Sequence, residues 1–250
     1  MKLKKELNKI LSEFQAKRPD LSAVKINAPD AWNIRIDMTE AEDIKYRVRN
    51  LRKDDLSELL KFRNQLSRQS RDMFCPYPWN DKKKLEQSLV EGIQRAISKI
   101  DASFLTVRQG EPIGHFFLWK AGGNPYSQKY GLEIPELGVA VADTYQGQGL
   151  GLLQVRILLA IAEHLNRDAV ELTTALSNDA GWQIYLKAGF KYLGIIKNPL
   201  EIDVTEAVNN RRKINWREER QMVFIINQEK TNAILQYLSL KRKEYEKFIK

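Results

Sequence analysis

Cysteine and histidine are scarce in this chain of 250 residues. Cys75 is the only cysteine, and His115 and His164 are the only histidines. One thiol cannot form an intrachain disulfide, which fits a reducing compartment. These three residues match none of the spacings of zinc-binding motifs, so we expect no metal site. Since neither histidine can be placed beside Cys75, a buried thiol is favoured over a nucleophilic cysteine that carries an acyl group.

Long apolar segments are also missing. One of the longest, residues 157–162, is bounded by Arg156 and Glu163, whereas a helix needs roughly 20 apolar residues to span a bilayer. The first residues read MKLKKELNKILSEF and interleave charges with apolar side chains. A signal peptide needs an unbroken apolar stretch. We therefore expect a cytoplasmic protein without a membrane partner.

Positive charge is in excess. Lysine and arginine number 41 against 32 acidic residues, which gives a formal net charge of +9. Such an excess attracts nucleic acid, a membrane surface or a phosphorylated small molecule, and charge alone does not choose among them. The aromatic and basic motifs of RNA-binding modules are missing from the sequence, so nucleic acid is not expected as a partner. Hydrophobic residues make up 43% of the chain, enough for a sizeable core.

The hydrophobic periodicity predicts a mixed α/β chain without the strict alternation of a doubly wound sheet. Leu3, Leu7 and Ile10 fall at helical spacing, so the chain should open with an amphipathic helix that ends near Pro19. From Ile44 onward the predicted order is β-α-α-β-β-β-α-β-α-β-β. The expected division is an N-terminal extension at residues 1–43, a domain at 44–226 and a C-terminal helix at 227–250.

Three glycines follow a short apolar strand in residues 137–151, which read LGVAVADTYQGQGLG. Gly147, Gly149 and Gly151 let the main chain pass close to a ligand, and the helix that begins there directs amide N–H groups at an anion. A P-loop would end in Gly-Lys-Ser/Thr, and a dinucleotide fingerprint would read G-x-G-x-x-G; this segment has neither. It does fit the pattern Gln/Arg-x-x-Gly-x-Gly/Ala. A tight turn between a strand and a helix is the simpler alternative.

A second block makes the pattern more specific. Residues 177–190 read SNDAGWQIYLKAGF, and they follow the glycine loop after one predicted helix and one predicted strand. With both blocks in register, the sequence resembles the GNAT N-acetyltransferase superfamily over roughly residues 44–226. The resemblance implies an α/β fold with a central, mostly antiparallel sheet, a splayed pair of parallel strands and flanking helices. The helices at the two ends of the chain would be additions to that fold.

The resemblance further implies acetyl-CoA as cofactor and direct attack of a primary amine on its thioester. The pantetheine arm would follow the first splayed strand, and the diphosphate would lie on the amides of the glycine loop. Tyr185 would give a proton to the departing thiolate. The implied cofactor-binding residues are Val139, Ala140, Val141, Gln146, Gly147, Gln148, Gly149, Leu150, Gly151, Asn178 and Tyr185. The competing interpretations are that Asn178 is only a helix N-cap and that Tyr185 is a core residue.

The catalytic base has two candidates. Glu136 stands at the start of the first splayed strand and is the first choice, acting directly or through water, and Glu133 is the second. Alternatively, Glu136 is a carboxylate at the surface.

The acceptor is a small-molecule or peptide amine that the sequence does not identify. The loop that carries Phe74, Tyr77 and Trp79 either covers the core or forms a wall of the acceptor site, and residues 198–220 are a second candidate segment. The apolar stripe of the C-terminal helix predicts docking onto the domain or a homodimer. The alternative function is a non-catalytic acyl-CoA-binding sensor or protein-interaction module.

Overall fold

A computed structural model describes residues 2–40, 43–74, 76–79, 81–199 and 216–247. Cys75 and residues 200–215, most of the second candidate acceptor segment, lie outside this description. The helices are α1 (Lys2–Ala16), α2 (Leu56–Asn64), α3 (Arg68–Met73), α4 (Lys82–Ile97), α5 (Pro125–Gln128), α6 (Leu150–His164), α7 (Asp179–Lys187) and α8 (Thr231–Lys247). The strands are β1 (Leu21–Asn27), β2 (Arg35–Glu40), β3 (Lys45–Asn50), β4 (Ala102–Arg108), β5 (Glu111–Trp119), β6 (Glu136–Val141), β7 (Ala169–Ala175), β8 (Lys191–Pro199) and β9 (Trp216–Ile225).

All of these strands belong to one sheet with the order β1-β2-β3-β4-β5-β6-β7-β9-β8. Every neighbouring pair is antiparallel except β6 and β7, which are parallel. Helix α6 connects these two strands, as a parallel pair requires. The predicted mixed α/β fold with a mostly antiparallel sheet and one parallel pair is confirmed.

Helices cover both faces of the sheet. On one face lies α6, which is apolar on most sides and buried along most of its length, with Ile157, Leu158 and Ile161 fully inaccessible. On the other face, Ile234 and Leu238 of α8 are fully buried against Val223 of β9 and its neighbours. Of the apolar stripe of the C-terminal helix, the described residues Ile234, Tyr237 and Leu238 are thus covered within the chain itself. No helix in the described ranges is both long and apolar enough to cross a bilayer.

The N-terminal helix α1 packs on α6. Its buried side chains Leu3, Leu7 and Leu11 recur at helical spacing and join the main core. Near the C-terminal end of α1, Glu13 forms an ion pair at 2.7 Å with Arg156 of α6. The N-terminal extension is therefore part of the folded body through its core contacts.

Two elements depart from the sequence-based expectation. Strand β1 is not predicted by the hydrophobic pattern because it is an edge strand, and most of its side chains after Leu21 are exposed or half-buried. Strand β9 begins at Trp216, whereas the hydrophobic pattern marks only its part from Met222 onward. Residues 217–221 of this strand are polar, but Glu219 is buried and paired with Arg217 and Asn198. Hydrophobicity alone could not reveal a strand whose polar groups satisfy one another.

His115 of β5 is a buried polar group with a defined protonation state. Its Nδ1 lies 3.0 Å from the carbonyl oxygen of Phe104, and its Nε2 lies 3.0 Å from the hydroxyl of Tyr77. Because a carbonyl can only accept, Nδ1 carries the proton and Nε2 accepts from Tyr77. Burial lowers the pKa of His115 from 6.5 to about 4, since a charged imidazole would lose its hydration there.

The buried His115 should make stability fall on acidification. Between pH 6.5 and about 4 the unfolded chain takes up a proton that folded His115 excludes, so the free energy of unfolding falls as pH drops through this window. The loss amounts to at most about 3 kcal/mol. We expect His115→Gln to lower stability at pH 7 and to remove this share of the pH dependence in denaturant melts. His164→Gln, which removes an exposed histidine, should keep the wild-type slope; equal slopes in all three proteins would contradict the assignment.

Candidate active site

The parallel strands β6 and β7 part immediately after they meet. Their only paired residues are Glu136 and Glu171, supported by a hydrogen bond from the amide of Glu171 to the carbonyl of Pro135 at 3.1 Å. Each strand is fully paired on its far side, β6 with β5 and β7 with β9. Beyond Glu136 the facing edges therefore carry main-chain groups without a strand partner. Gly138, Val139 and Thr173 are only partly buried in these strands, as expected for residues that line an opening.

The glycine loop lies at the C-terminal end of β6 and leads into α6. Gly147 and Gly149 have φ values of +76° and +82°, a left-handed conformation that glycine adopts without strain. In the described part of the chain, the amides of residues 147–152 donate no hydrogen bond to the protein. The last three of these open α6, where helix geometry leaves N–H groups without partners. Together they form a cluster of free donors at a positive helix end, which suits a diphosphate.

Side chains on both flanks of the loop hold it in shape. Gln146 donates from Nε2 to the carbonyl of Val141 at 3.1 Å, so its amide ties the loop back to the end of β6. Gln148 donates to the carbonyl of Thr144 at 3.4 Å. An added Cβ at Gly151 would lie 3.0 Å from Ile184, so the small residue lets α6 approach α7 closely. Gln146 and Gly151 therefore support the loop, while Gly147 and Gly149 shape its exposed surface.

Asn178 is the N-cap of α7. Its Oδ1 accepts from the amide of Gly181 at 3.0 Å, and its Nδ2 donates to the hydroxyl of Thr174 at 3.0 Å. This bond network joins the start of α7 to the end of β7, the second strand of the splayed pair. Its observed contacts are those of the N-cap interpretation, and cofactor contact by Asn178 stays a prediction.

Tyr185 lies on the inner side of α7 and is 8% exposed. Its ring packs edge-on against Phe190, with the centroids 5.8 Å apart. Burial raises the pKa of the phenol to about 12, because the phenolate would lose its hydration. The hydroxyl is therefore protonated at any pH near neutrality and can act as a donor.

A cluster of charges occupies the point where the strands meet. Lys241 of α8 places its Nζ 3.0 Å from Glu171 and 3.8 Å from Glu136. The pKa of Glu171 is raised, chiefly by burial; Lys241 opposes this shift and Glu136 adds to it. The pKa of Lys120 is lowered, also chiefly by burial, with Glu136 opposing that shift. The Glu136 side chain is 38% exposed, so it is the accessible carboxylate of the pair, whereas that of Glu171 is 3% exposed.

Glu171 and Lys241 were not among the predicted site residues. Glu171 could have been found from the sequence, because it is a charged residue within the otherwise apolar start of a strand, AVEL. Lys241 carries no such signal, because it is one of several basic residues on its helix. Glu133, the second candidate base, accepts from the amide of Asn124 at 3.2 Å and from Arg167 at 3.1 Å. It therefore has a structural task in joining loops.

The aromatic loop divides into core and lining residues. Tyr77 and Trp79 are each 6% exposed, which favours the core-cover interpretation for both. Phe74 is half-buried and lies 6.0 Å from the ring of Phe117. The ring of Phe117 lies directly over Gly138 of β6, where an added Cβ would come within 2.3 Å of it. Phe74 and Phe117 thus form an aromatic wall beside the opening, on the face of β6 that also carries Glu136.

The residues present fit coenzyme A. Free amides at the start of α6 suit its diphosphate, and unpaired strand edges suit the amides of its pantetheine arm. The position that a Cβ on Gly147 would take is open, since no atom beyond its chain neighbours lies within 4 Å of it. In the described ranges, no group of three or more His, Cys, Asp or Glu side chains is arranged to hold a metal ion.

Comparison with known families agrees with this geometry. A family model described as acetyltransferase (GNAT) domain matches residues 45–191. The chain belongs to the GNAT acetyltransferase family. The matched part of this GNAT protein runs from β3 to the first residue of β8, so α1, β1, β2, the rest of β8, β9 and α8 lie outside it. Among curated proteins, no match to this GNAT sequence was found.

Solved structures share the fold at low sequence identity. The GNAT domain of S. lividans PAT is 17% identical with a TM-score of 0.55, covering 80% of this chain and 100% of that one. A ribosomal-protein-alanine N-acetyltransferase from Brucella melitensis is 17% identical with a TM-score of 0.52, covering 72% and 99%. The spermidine N-acetyltransferase from Vibrio cholerae, solved with CoA and spermine, is 19% identical with a TM-score of 0.52, covering 72% and 95%. At these identities the likeness establishes the GNAT fold.

Two glycines allow a matched test of the loop. Gly147 and Gly110 both have positive φ, +76° and +88°, and neither has an atom within 4 Å of an added Cβ. Alanine should therefore strain both positions equally, by about 1 kcal/mol. We expect Gly147→Ala to weaken CoA binding in calorimetry by about tenfold or more, because the strained loop redirects its amides. Gly110→Ala, in the turn between β4 and β5, should leave affinity unchanged; equal affinities of the two variants would argue against the loop as the diphosphate site.

Proposed function

We propose that this GNAT protein transfers an acetyl group from acetyl-CoA to a primary amine by direct attack. The observation that carries the proposal is the cluster of amide N–H groups at residues 147–152 that donate no hydrogen bond within the described protein. This cluster lies beside two parallel strands that separate after one residue pair. Acetyl-CoA would supply an activated acetyl thioester. The protein has to hold that thioester, accept a proton from the amine and keep the departing sulfur from carrying a free negative charge.

The loop and the open strands provide the binding. Main-chain donors at Gly147, Gly149 and the first turn of α6 would hold the diphosphate with the help of the helix dipole. The free edge of β6 around Val139 and Val141 would pair with the pantetheine arm, as an added strand does. The carbonyl of the thioester would then lie near the point where β6 and β7 meet, between the aromatic wall and Tyr185.

Tyr185 is suited to protect the leaving sulfur. Its phenol, with a pKa near 12, is protonated when the thiolate forms. The same burial that stabilises the neutral phenol disfavours a thiolate beside it, which raises the pKa of the departing thiol. Both effects favour a proton on sulfur, delivered through the Tyr185 hydroxyl.

Glu136 is suited to receive the proton of the amine. It is the more exposed carboxylate at the strand junction, on the same face as the wall formed by Phe74 and Phe117. Lys241 lies near both carboxylates and closer to Glu171. The exposed part of the Glu136 carboxylate can therefore accept the proton of the amine, directly or through water. An acceptor amine would enter on this face, opposite the side on which α6 lies.

Replacing Tyr185 tests the proposed acid. We expect Tyr185→Phe to lower kcat by about a hundredfold or more, with little change in the affinity for CoA, since only a hydroxyl is removed. Tyr192→Phe removes a hydroxyl from a half-exposed tyrosine of β8 and should keep wild-type turnover. The measurement is thiol release from acetyl-CoA with a panel of acceptors that includes peptides with free N-termini and polyamines. These acceptors are chosen because two proteins that share the fold are named as a ribosomal-protein-alanine N-acetyltransferase and a spermidine N-acetyltransferase.

The panel also separates the enzyme from the sensor. A non-catalytic acyl-CoA-binding module would bind CoA tightly, release no thiol with any acceptor and behave identically after Tyr185→Phe. That combination of results would refute the proposed transfer while leaving the binding site intact.

The two candidate bases can be compared directly. We expect Glu136→Gln to lower kcat/KM for the acceptor by about a hundredfold, most strongly at low pH where few amine molecules are neutral. Glu133→Gln should retain activity, because Glu133 is engaged with Asn124 and Arg167. Full activity of Glu136→Gln would refute Glu136 as the base.

A further inference from the structure

A cavity lies between the N-terminal helix and the glycine loop. It measures about 290 Å³ and is lined by Phe14, Lys17 and Arg18 at the end of α1 and by Gly147, Gly149 and Arg156 across from them, with apolar side chains of both helices at its base. It therefore adjoins the free amides at residues 147–152, sharing Gly147 and Gly149 with them. The α1 side of this cavity lies outside the matched family region, residues 45–191.

We propose that the C-terminal turn of α1 completes the CoA site by binding the adenosine 3′-phosphate end of the molecule. The proposal rests on the proposed function, which puts the diphosphate on the glycine loop. A molecule anchored there has its nucleotide end next to the loop, and the cavity is a partly open space that adjoins Gly147 and Gly149. A helix from the N-terminal extension thus becomes part of the cofactor site.

The walls of the cavity match the two chemical parts of the nucleotide. Phe14 lies against the loop, 3.3 Å from where a Cβ on Gly149 would be. The Arg18 guanidinium lies over the Phe14 ring, 5.9 Å from its centroid, and the ring lines the cavity together with Leu152 as apolar surface for a purine. Aromatic side chains stack on bases without regard to sequence. The adenine ring is therefore assigned to the Phe14 side of the cavity.

The charges at the rim match a phosphate. Lys17, Arg18 and Arg156 face the cavity with Glu13 as the one carboxylate among its lining residues. Arg18 is bound to Asp20 and Glu40, and Arg156 to Glu13, so these two arginines are fixed by acids of the protein. Lys17 is exposed and forms no ion pair within the described residues. It is the cation with its charge available for a ligand.

A comparison of two ligands tests the role of Lys17. Calorimetry on the full chain would use CoA and 3′-dephospho-CoA with wild type, Lys17→Ala and Lys9→Ala. Lys9 is exposed on the same helix and does not line the cavity. Lys9→Ala therefore removes the same positive charge from α1 without changing the cavity. We expect Lys17→Ala to weaken CoA binding about tenfold, the loss of one charge-assisted contact, with unchanged binding of dephospho-CoA and no effect of Lys9→Ala. A Lys17→Ala effect that is absent, equal for both ligands or matched by Lys9→Ala would overturn the proposal.

Phe14→Leu tests the stacking surface with little loss of apolar volume. It should weaken both ligands to the same degree, because both carry adenine, and it should not affect 4′-phosphopantetheine, which has none. Unchanged binding of CoA and dephospho-CoA would overturn the assignment of adenine to this wall. Thermal melts of each variant confirm that α1 is still docked on α6.

The failure of this inference can be told apart from failure of the proposed function. If wild type binds and turns over acetyl-CoA but Lys17→Ala and Phe14→Leu behave like wild type, only the α1 subsite is refuted. If the ligand discrimination appears as expected but no acceptor is acetylated, the subsite is supported and the transfer reaction is refuted. If wild type does not bind CoA at all, both are refuted.

Discussion

The arrangement of the candidate site depends on where the pairing between β6 and β7 stops. Each strand keeps a complete ladder on its far side, so opening the gap sacrifices bonds only along the two facing edges. Main-chain groups on those edges cannot remain without partners in a folded protein unless water or a ligand satisfies them. The glycine loop at the end of β6 continues the same principle, since its amides also lack protein partners. An extended, amide-containing molecule with an anionic end is the kind of ligand that satisfies both sets of donors.

Charge is concentrated at the closed end of the gap. Glu171 is buried there with Lys241 as its ion-pair partner, and Glu136 lies beside them at the solvent side. A buried, charged carboxylate without a cation would strongly destabilise the folded protein, so the ion pair with Lys241 stabilises the strand junction. This places helix α8, which lies beyond the matched family region, in contact with the candidate base. The accessible carboxylate and the aromatic wall of Phe74 and Phe117 share one face of the sheet.

Helices α1 and α8 both pack next to the candidate site. Helix α1 packs on α6 and brings Phe14 beside Gly149, while α8 covers the opposite face and brings Lys241 to the strand junction. Strands β1 and β2 extend the sheet on the edge away from the gap. The elements outside the matched family region thus lie on two sides of the candidate site, α1 beside the glycine loop and α8 at the strand junction.

Local patterns were sufficient for much of the fold and for part of the site. Helical spacing in α1 and α6, the glycines that enter α6 and the N-cap at Asn178 all depend on residues close together in the sequence, so local patterns are enough to predict them. Strand β1 could not be predicted because most of its side chains are exposed, and the start of β9 could not because its polar side chains pair with one another. Neither segment therefore shows a hydrophobic alternation. By contrast, the pairing of Lys241 with Glu171, the packing of Phe117 over Gly138 and the position of Phe14 against the loop follow from long-range packing. These contacts join residues far apart in the chain, and their formation depends on how helices and strands pack, which periodicity and turn chemistry do not specify.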